Sequence, residues 1–154
     1  MGFFQRINSL FVEETPTAAT EPAFDPQHAK VLVIDDDKNF LEVTAAALSA
    51  AGLVVLKSNN GTKGLNMIRY AGRDVKVVLL DYDMPQMDGL ATLKFIREFA
   101  PQIKVIAITG VDAKFLPGTF REGVDLLFFK PFSGAELVNQ VRALLTPAKQ
   151  EASR

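Results

Sequence analysis

Apolar residues come in two rhythms along this chain. From Ala29 onward, short and nearly continuous apolar runs alternate with longer stretches in which apolar positions recur every three or four residues. The short runs are Lys30–Ile34, Leu53–Lys57, Val75–Leu80, Lys104–Ile108 and Asp125–Phe129. Runs of this length, rich in Val, Ile, Leu and Phe, predict strands buried on both faces, as in a parallel sheet. The periodic stretches predict helices. The first spans about Lys38–Ala51, with Asp37 as N-cap and Gly52 just past its end. The second follows Asn59-Asn60-Gly61 and ends near Gly72, and the third runs from Gly89 to Phe99 before Pro101. A fourth lies within Ala113–Glu122, and a fifth opens at the capping-box pattern Ser133-Gly134-Ala135-Glu136 and reaches Leu145. Pro117-Gly118 falls inside the fourth. A continuous helix there would cost ~3 kcal/mol for Pro and ~1 for Gly, so a shortened or shifted helix is expected. Five strands alternating with five helices predict a doubly wound α/β domain.

The ends read differently. Phe3, Phe4, Ile7, Leu10 and Phe11 fall at helical spacing, and the stretch from Glu13 to Gln27 carries Pro16, Pro22 and Pro26 among Thr, Ala and Glu. The expected organisation is an amphipathic segment with a Pro-containing linker over 1–28, the α/β domain over 29–145, and a polar tail over 146–154. Residues 3–11 are the expected site of self-association or partner packing. Arg6 is the one basic residue of that segment, which argues against an electrostatic membrane anchor.

Composition narrows the function classes. The 154 residues are 48% hydrophobic and 23% charged, with formal net charge -1. No bulk field draws the chain to nucleic acid or to an anionic membrane. The absence of cysteine rules out disulfides and thiolate chemistry and fits a reducing compartment. No apolar run reaches the ~18 residues of a membrane span. No secretory signal is expected, and Arg6 stands where a myristoylation motif takes Ser or Thr. A cytoplasmic location is the expectation.

Four of the predicted strands run into chemistry. The first ends at Asp35-Asp36-Asp37, the third at Asp81-Tyr82-Asp83-Met84-Pro85, the fourth at Thr109-Gly110 and the fifth at Lys130-Pro131. In doubly wound sheets ligands bind beyond the carboxyl ends of the strands, so these groups should share one edge. Packed carboxylates repel, and burying them unpaired is costly; a divalent cation resolves both problems. Mg²⁺ suits one or two carboxylates plus a phosphate oxygen. A carboxylate such as Asp81 can attack a phosphoryl donor, and Lys130 and Thr109 can meet the charge that spreads over the equatorial oxygens. Taken singly, each feature is bland. An acidic run suits any helix N-terminus, Thr109 alone reads as a loop hydroxyl, and Lys130 alone as a surface lysine. Their common register favours a site. His28, the only histidine, reads as solvated rather than as a phosphodonor, and no second His or any Cys completes a zinc site. Asp88-Gly89 reads as a turn and helix start.

From about Ala29 to Leu145 these motifs resemble a response-regulator receiver domain of two-component signalling. They are Asp35-Asp36, the run Asp81 to Gly89, Thr109-Gly110 and Lys130-Pro131-Phe132, in that order. The resemblance implies a flavodoxin-like three-layer αβα fold with strand order 2-1-3-4-5. It implies Asp81 as phosphoacceptor, Thr109 as switch hydroxyl and Lys130 as phosphoryl contact, with Pro131 a candidate for a cis bond. It implies Mg²⁺ held by Asp36, Asp81 and the backbone carbonyl of Asp83, with Asp35 acting through water. A histidine kinase or phosphotransfer protein would be the donor, and an output protein the partner. Because nine residues follow Leu145, a single-domain regulator without a nucleic-acid partner is expected, with no enzymatic turnover beyond self-phosphorylation from small donors and autodephosphorylation. Two alternatives compete: a degenerate receiver acting as a phosphorylation-independent adaptor, and a phosphatase of the Asp-x-Asp type built on Asp81-Tyr82-Asp83. Met84-Pro85 and the lack of room for a cap domain disfavour the second.

Two positions depart from the family pattern. Leu127 stands where receivers carry a Tyr or Phe that swings inward, and Phe128, one residue on, points to the opposite face of the strand. Pro117-Gly118 alters the fourth helix, where receivers present output, and Phe115, Leu116 and Phe120 read either as core or as a docking face. Lys130 is expected to matter for phosphoryl contact more than for folding.

Overall fold

The computed structural model describes residues 28–146. The residues 3–11 assigned above to self-association, the linker, and the tail after Thr146 lie outside the described residues.

Within them the chain alternates as its hydrophobic rhythm predicts. Strand β1 is Lys30–Ile34, helix α1 Lys38–Ala50, β2 Val54–Ser58, α2 Gly61–Ala71, β3 Val75–Leu80, α3 Gly89–Phe99, β4 Lys104–Thr109, α4 Gly118–Gly123, β5 Leu126–Phe129 and α5 Gly134–Leu145. Short 3-10 turns at Gly72–Asp74 and Ala113–Phe115 precede β3 and α4. The five strands are parallel, in the order β2-β1-β3-β4-β5. This is the doubly wound, flavodoxin-like order expected, with helices on both faces.

Period-two alternation builds two cores. Leu32, Ile34, Val78, Leu80 and Val105 face one side, where α3 adds Leu93 and Ile96 and α4 adds Phe120. Val31, Val33, Val77, Leu79 and Ile106 face the other, against Leu41 and Leu48 of α1 and Leu137 of α5. Both faces of the central strands are largely buried, so their sequence is a nearly continuous apolar run rather than an alternation.

The caps follow the sequence at α1. Asp37 Oδ1 accepts from the amides of Asn39 and Phe40 at 3.0 and 3.1 Å, and Gly52 adopts φ +85° just beyond the helix, a conformation that favours glycine. At α5 the expected capping box is incomplete. The helix starts at Ser133, whose carbonyl accepts from Leu137 N–H at 3.1 Å, but its hydroxyl makes no capping bond. Residues 133–136 are all exposed, so water reaches the first-turn amides.

The break at Pro117-Gly118 is real. Only six residues of α4 are helical, and the Pro117 carbonyl accepts from Phe120 and Arg121 at 3.0 and 3.1 Å. Proline at the helix boundary keeps its fixed φ without costing an internal hydrogen bond. The three apolar residues divide between the two readings: Leu116 and Phe120 are core, while Phe115 is 69% exposed.

Candidate functional site

Strand register assembles the site. Ile34 pairs with Leu80, so Asp35 and Asp81 each lie one residue past the same rung of the ladder. Thr109 pairs with Phe129, so Lys130 follows directly, and its amide donates to the Thr109 carbonyl at 2.9 Å. The backbone pins both aspartates: Asp35 N–H reaches Ser58 O at 3.1 Å and Asp81 N–H reaches Ile34 O at 3.0 Å.

The carboxylates of Asp35, Asp36 and Asp81 each present an oxygen, and these oxygens lie within 4.8 Å of one another. Asp35 and Asp81 are buried and Asp36 is exposed, so the cluster opens to solvent on one side. Burial raises the pKa of Asp81 to about 7, and the charge of Asp35 pushes the same way; the Lys130 ammonium and the Asp83 amide pull against them. Burial also raises Asp35, opposed by its hydrogen bond from Lys130. Such a cluster of hard oxygens, crowded and partly desolvated, fits a divalent cation with oxygen preference.

Lys130 Nζ donates to Asp35 Oδ2 at 2.9 Å, with the Asp35 side chain only 2% exposed. The lysine therefore compensates a buried carboxylate as well as facing the site, so it has a structural partner in addition to the phosphoryl contact expected of it. The Lys130–Pro131 bond is cis. Thr109 is fully buried, and its Oγ1 accepts from Val111 N–H at 3.0 Å, so the hydroxyl is engaged with its own loop. Asp83 is exposed, and its amide donates to the Asp81 carboxylate.

The loop from Asp81 to Gly89 closes tightly. Gly89 N–H donates to Tyr82 O at 2.8 Å, and Asp88 Oδ1 caps α3 by accepting from Ala91 N–H at 2.8 Å. A methyl at Gly89 would sit 2.6 Å from Tyr82 Cα and closer still to the Asp81 carbonyl. Sequence reading found the turn but not this backbone approach, for which the glycine was the only signal. It also missed Phe40, whose ring lies under the Lys130 ammonium with 3.9 Å between nitrogen and centroid. A first-turn apolar residue carries no mark of that contact.

Leu127 and Phe128 face opposite ways, as the period of a strand requires. Leu127 packs with the core under α2, α3 and α4, and Phe128 with the core under α1 and α5. Phe128 therefore cannot stand in for the aromatic that Leu127 replaces.

Comparison with known proteins agrees with this geometry. The family model for the response regulator receiver domain matches residues 31–142. The chain is 34% identical over 119 residues to the transcriptional regulatory protein CpxR homolog of Haemophilus influenzae, covering 76% of this chain and 50% of that protein. The chain thus spans about half the length of that relative. It is similar to a solved receiver domain from Clostridium thermocellum, with 29% identity, TM-score 0.70, and coverage of 76% of this chain and 94% of that one. It is also similar to the response regulator TrrA of Thermotoga maritima, solved in complex with Mg²⁺-BeF. There identity is 27%, the TM-score 0.67, and coverage 75% and 98%.

Proposed function

This chain belongs to the response regulator receiver family of two-component signalling, and from that premise we propose that it accepts a phosphoryl group on Asp81 with the help of Mg²⁺ and signals by changing its protein contacts. The observation that supports this best is the convergence of Asp35, Asp36 and Asp81, with Lys130 paired to Asp35 at its rim.

In this reading a carboxylate oxygen of Asp81 attacks the phosphorus of a phosphohistidine on a kinase or phosphotransfer protein. A P–O bond forms, the P–N bond breaks, and the imidazole leaves with the electron pair. Asp35, Asp36 and Asp81, with the Asp83 backbone carbonyl, would hold the Mg²⁺, which supplies positive charge to offset that of the transferring oxygens. Asp35 acts through water, because its Oδ2 is already committed to Lys130. The Lys130 ammonium contacts one phosphoryl oxygen. The Thr109 hydroxyl, which accepts from Val111 N–H, has its own proton to donate to another, which would couple phosphorylation to the loop after β4.

The partners in this reading are a histidine kinase or phosphotransfer protein and an output protein. A cytoplasmic location goes with it. Among the described residues no helix is long and apolar enough to cross a membrane. No catalytic turnover of phosphate esters is expected. Leu127 and the short α4 favour one second reading, a receiver used as an adaptor that binds its partner whether or not Asp81 is modified.

Intact-mass and peptide mapping after incubation with acetyl phosphate and Mg²⁺ tests the proposal. A base-labile phosphoryl group on Asp81, absent from Asp81→Asn, supports it; label on His28 or a serine overturns it. Equal partner capture by wild type and Asp81→Asn would favour the adaptor.

A further inference from the structure

The Lys130 ammonium has two close neighbours. One is Asp35 Oδ2 at 2.9 Å. The other is the face of Phe40, 3.9 Å from nitrogen to ring centroid. Phe40 is itself held in place. Its amide donates to the Asp37 cap at 3.1 Å. Phe132 meets its ring in an edge contact with centroids 5.8 Å apart and planes at 74°, and Phe128 braces Phe132 the same way at 5.7 Å and 66°. Three rings from α1, β5 and the loop after it thus form a fixed apolar seat beneath one cation.

A lysine stem has four rotatable bonds, and ordering it costs entropy. An aromatic face attracts an ammonium through its quadrupole and does so without an acceptor atom. A cation held this way keeps its N–H groups for oxygen ligands on the far side. An aliphatic residue of similar bulk would fill the same space but give the charge no attraction.

We propose that Phe40 is a positioning residue for phosphoryl transfer: its ring face holds the Lys130 ammonium beside Asp35, with the donors not bonded to Asp35 left for the incoming phosphoryl oxygens. The proposal rests on the functional reading above, since it acts through the phosphoryl contact assigned to Lys130.

The test uses the full chain with acetyl phosphate and Mg²⁺, and compares Phe40→Leu, Phe40→Tyr and Phe40→Trp. Phe40→Leu should slow labelling of Asp81 about 3- to 10-fold, the range that a partly shielded cation–π contact spans. Tyr and Trp should keep the rate near wild type. On a Lys130→Ala background, Phe40→Leu should add nothing. In wild type the Lys130 Hε protons should be shifted upfield by the ring current, and the shift should vanish in Phe40→Leu. A Phe40→Leu rate equal to wild type, a loss that persists on the Lys130→Ala background, failure of Trp and Tyr to preserve the rate, or unshifted Hε protons would each overturn the role of Phe40. Wild type that takes no label at Asp81 would instead overturn the functional reading. If Phe40→Leu does not fold, the aromatic variants and the wild-type Hε shifts still decide.

Discussion

Asp35 and Asp81 stand on adjacent strands one residue past the paired positions Ile34 and Leu80, and their carboxylates share a single pocket. Neither can be fully charged there without cost. With its pKa raised to about 7, Asp81 keeps a proton in the folded chain at pH values where the unfolded chain has released it. Its contribution to stability is therefore lost as pH rises from about 4 to about 7. Asp81→Asn should stabilise the protein by roughly 2 kcal/mol at pH 8 and by little at pH 4, a figure set below the full linkage because solvent reaches the open side of the cluster and relaxes it. Urea unfolding of both proteins at the two pH values checks it; equal midpoints at pH 8 would count against a strained pocket.

Mg²⁺ should relieve the same repulsion. At pH 8, millimolar Mg²⁺ should raise the unfolding midpoint of wild type, and Asp36→Ala should remove most of that gain. Affinity should fall as pH drops below about 7, where Asp81 takes up its proton. Amide shifts followed through a Mg²⁺ titration read this directly. An Asp36→Ala protein that binds as tightly as wild type would show the metal assignment to be wrong.

Lys130→Ala should do two things at once. It should slow phosphorylation, and it should cost stability of about 1–2 kcal/mol by leaving the buried Asp35 carboxylate unpaired. The stability part should shrink in Asp35→Asn, where no charge is left to compensate. Thermal melts of the two single variants and the double variant measure the coupling, and strict additivity would mean that the 2.9 Å contact contributes nothing.

Gly89→Ala should shift the loop that carries the site. The added methyl meets backbone at Asp81 and Tyr82, which cannot swing aside as a side-chain tip can. A loss of about 1–3 kcal/mol is expected, with slower labelling of Asp81. An unchanged melting midpoint would mean that the turn tolerates far more than its geometry indicates.

Arg97 offers a test remote from the phosphoryl site. Its guanidinium donates to Gly123 O and Ile103 O, both at 2.7 Å, and to Asp125 Oδ2 at 2.9 Å. Burial works against the Asp125 charge, yet the Val105 amide and Arg97 hold its pKa below the usual range. Arg97→Ala strands two carbonyls and should cost roughly 2–3 kcal/mol, with Lys recovering only part of it. Denaturant midpoints of the two variants decide.

The strands, the helices and the acidic edge were legible because burial on both sheet faces leaves an unmistakable apolar run, and because four of the five runs end in a residue of the candidate site. The Pro117 break could be read because proline has one physical effect on a helix interior. What stayed hidden was contact between side chains far apart in sequence. Lys130 and Asp35 are 95 residues apart, and nothing in either local pattern says that one neutralises the other. Phe40 was hidden for the same reason. Ser133 misled in the other direction: its spacing to Glu136 matched a capping box, but a fully exposed first turn has no need of one.

The short α4 has a kinetic meaning. Its turn and a half is retained mainly by Phe120 in the core and by the Arg97 bond at Gly123, where the neighbouring helices have eleven or twelve residues to share the task. Local opening of this piece should therefore lie well below global unfolding on the free-energy scale. Its amides should exchange with deuterium long before those of β3, in a burst confined to residues 118–123. A protein held this unevenly carries its loosest joint directly after the loop that Thr109 anchors, so a disturbance at Thr109 reaches a segment that yields before the sheet does.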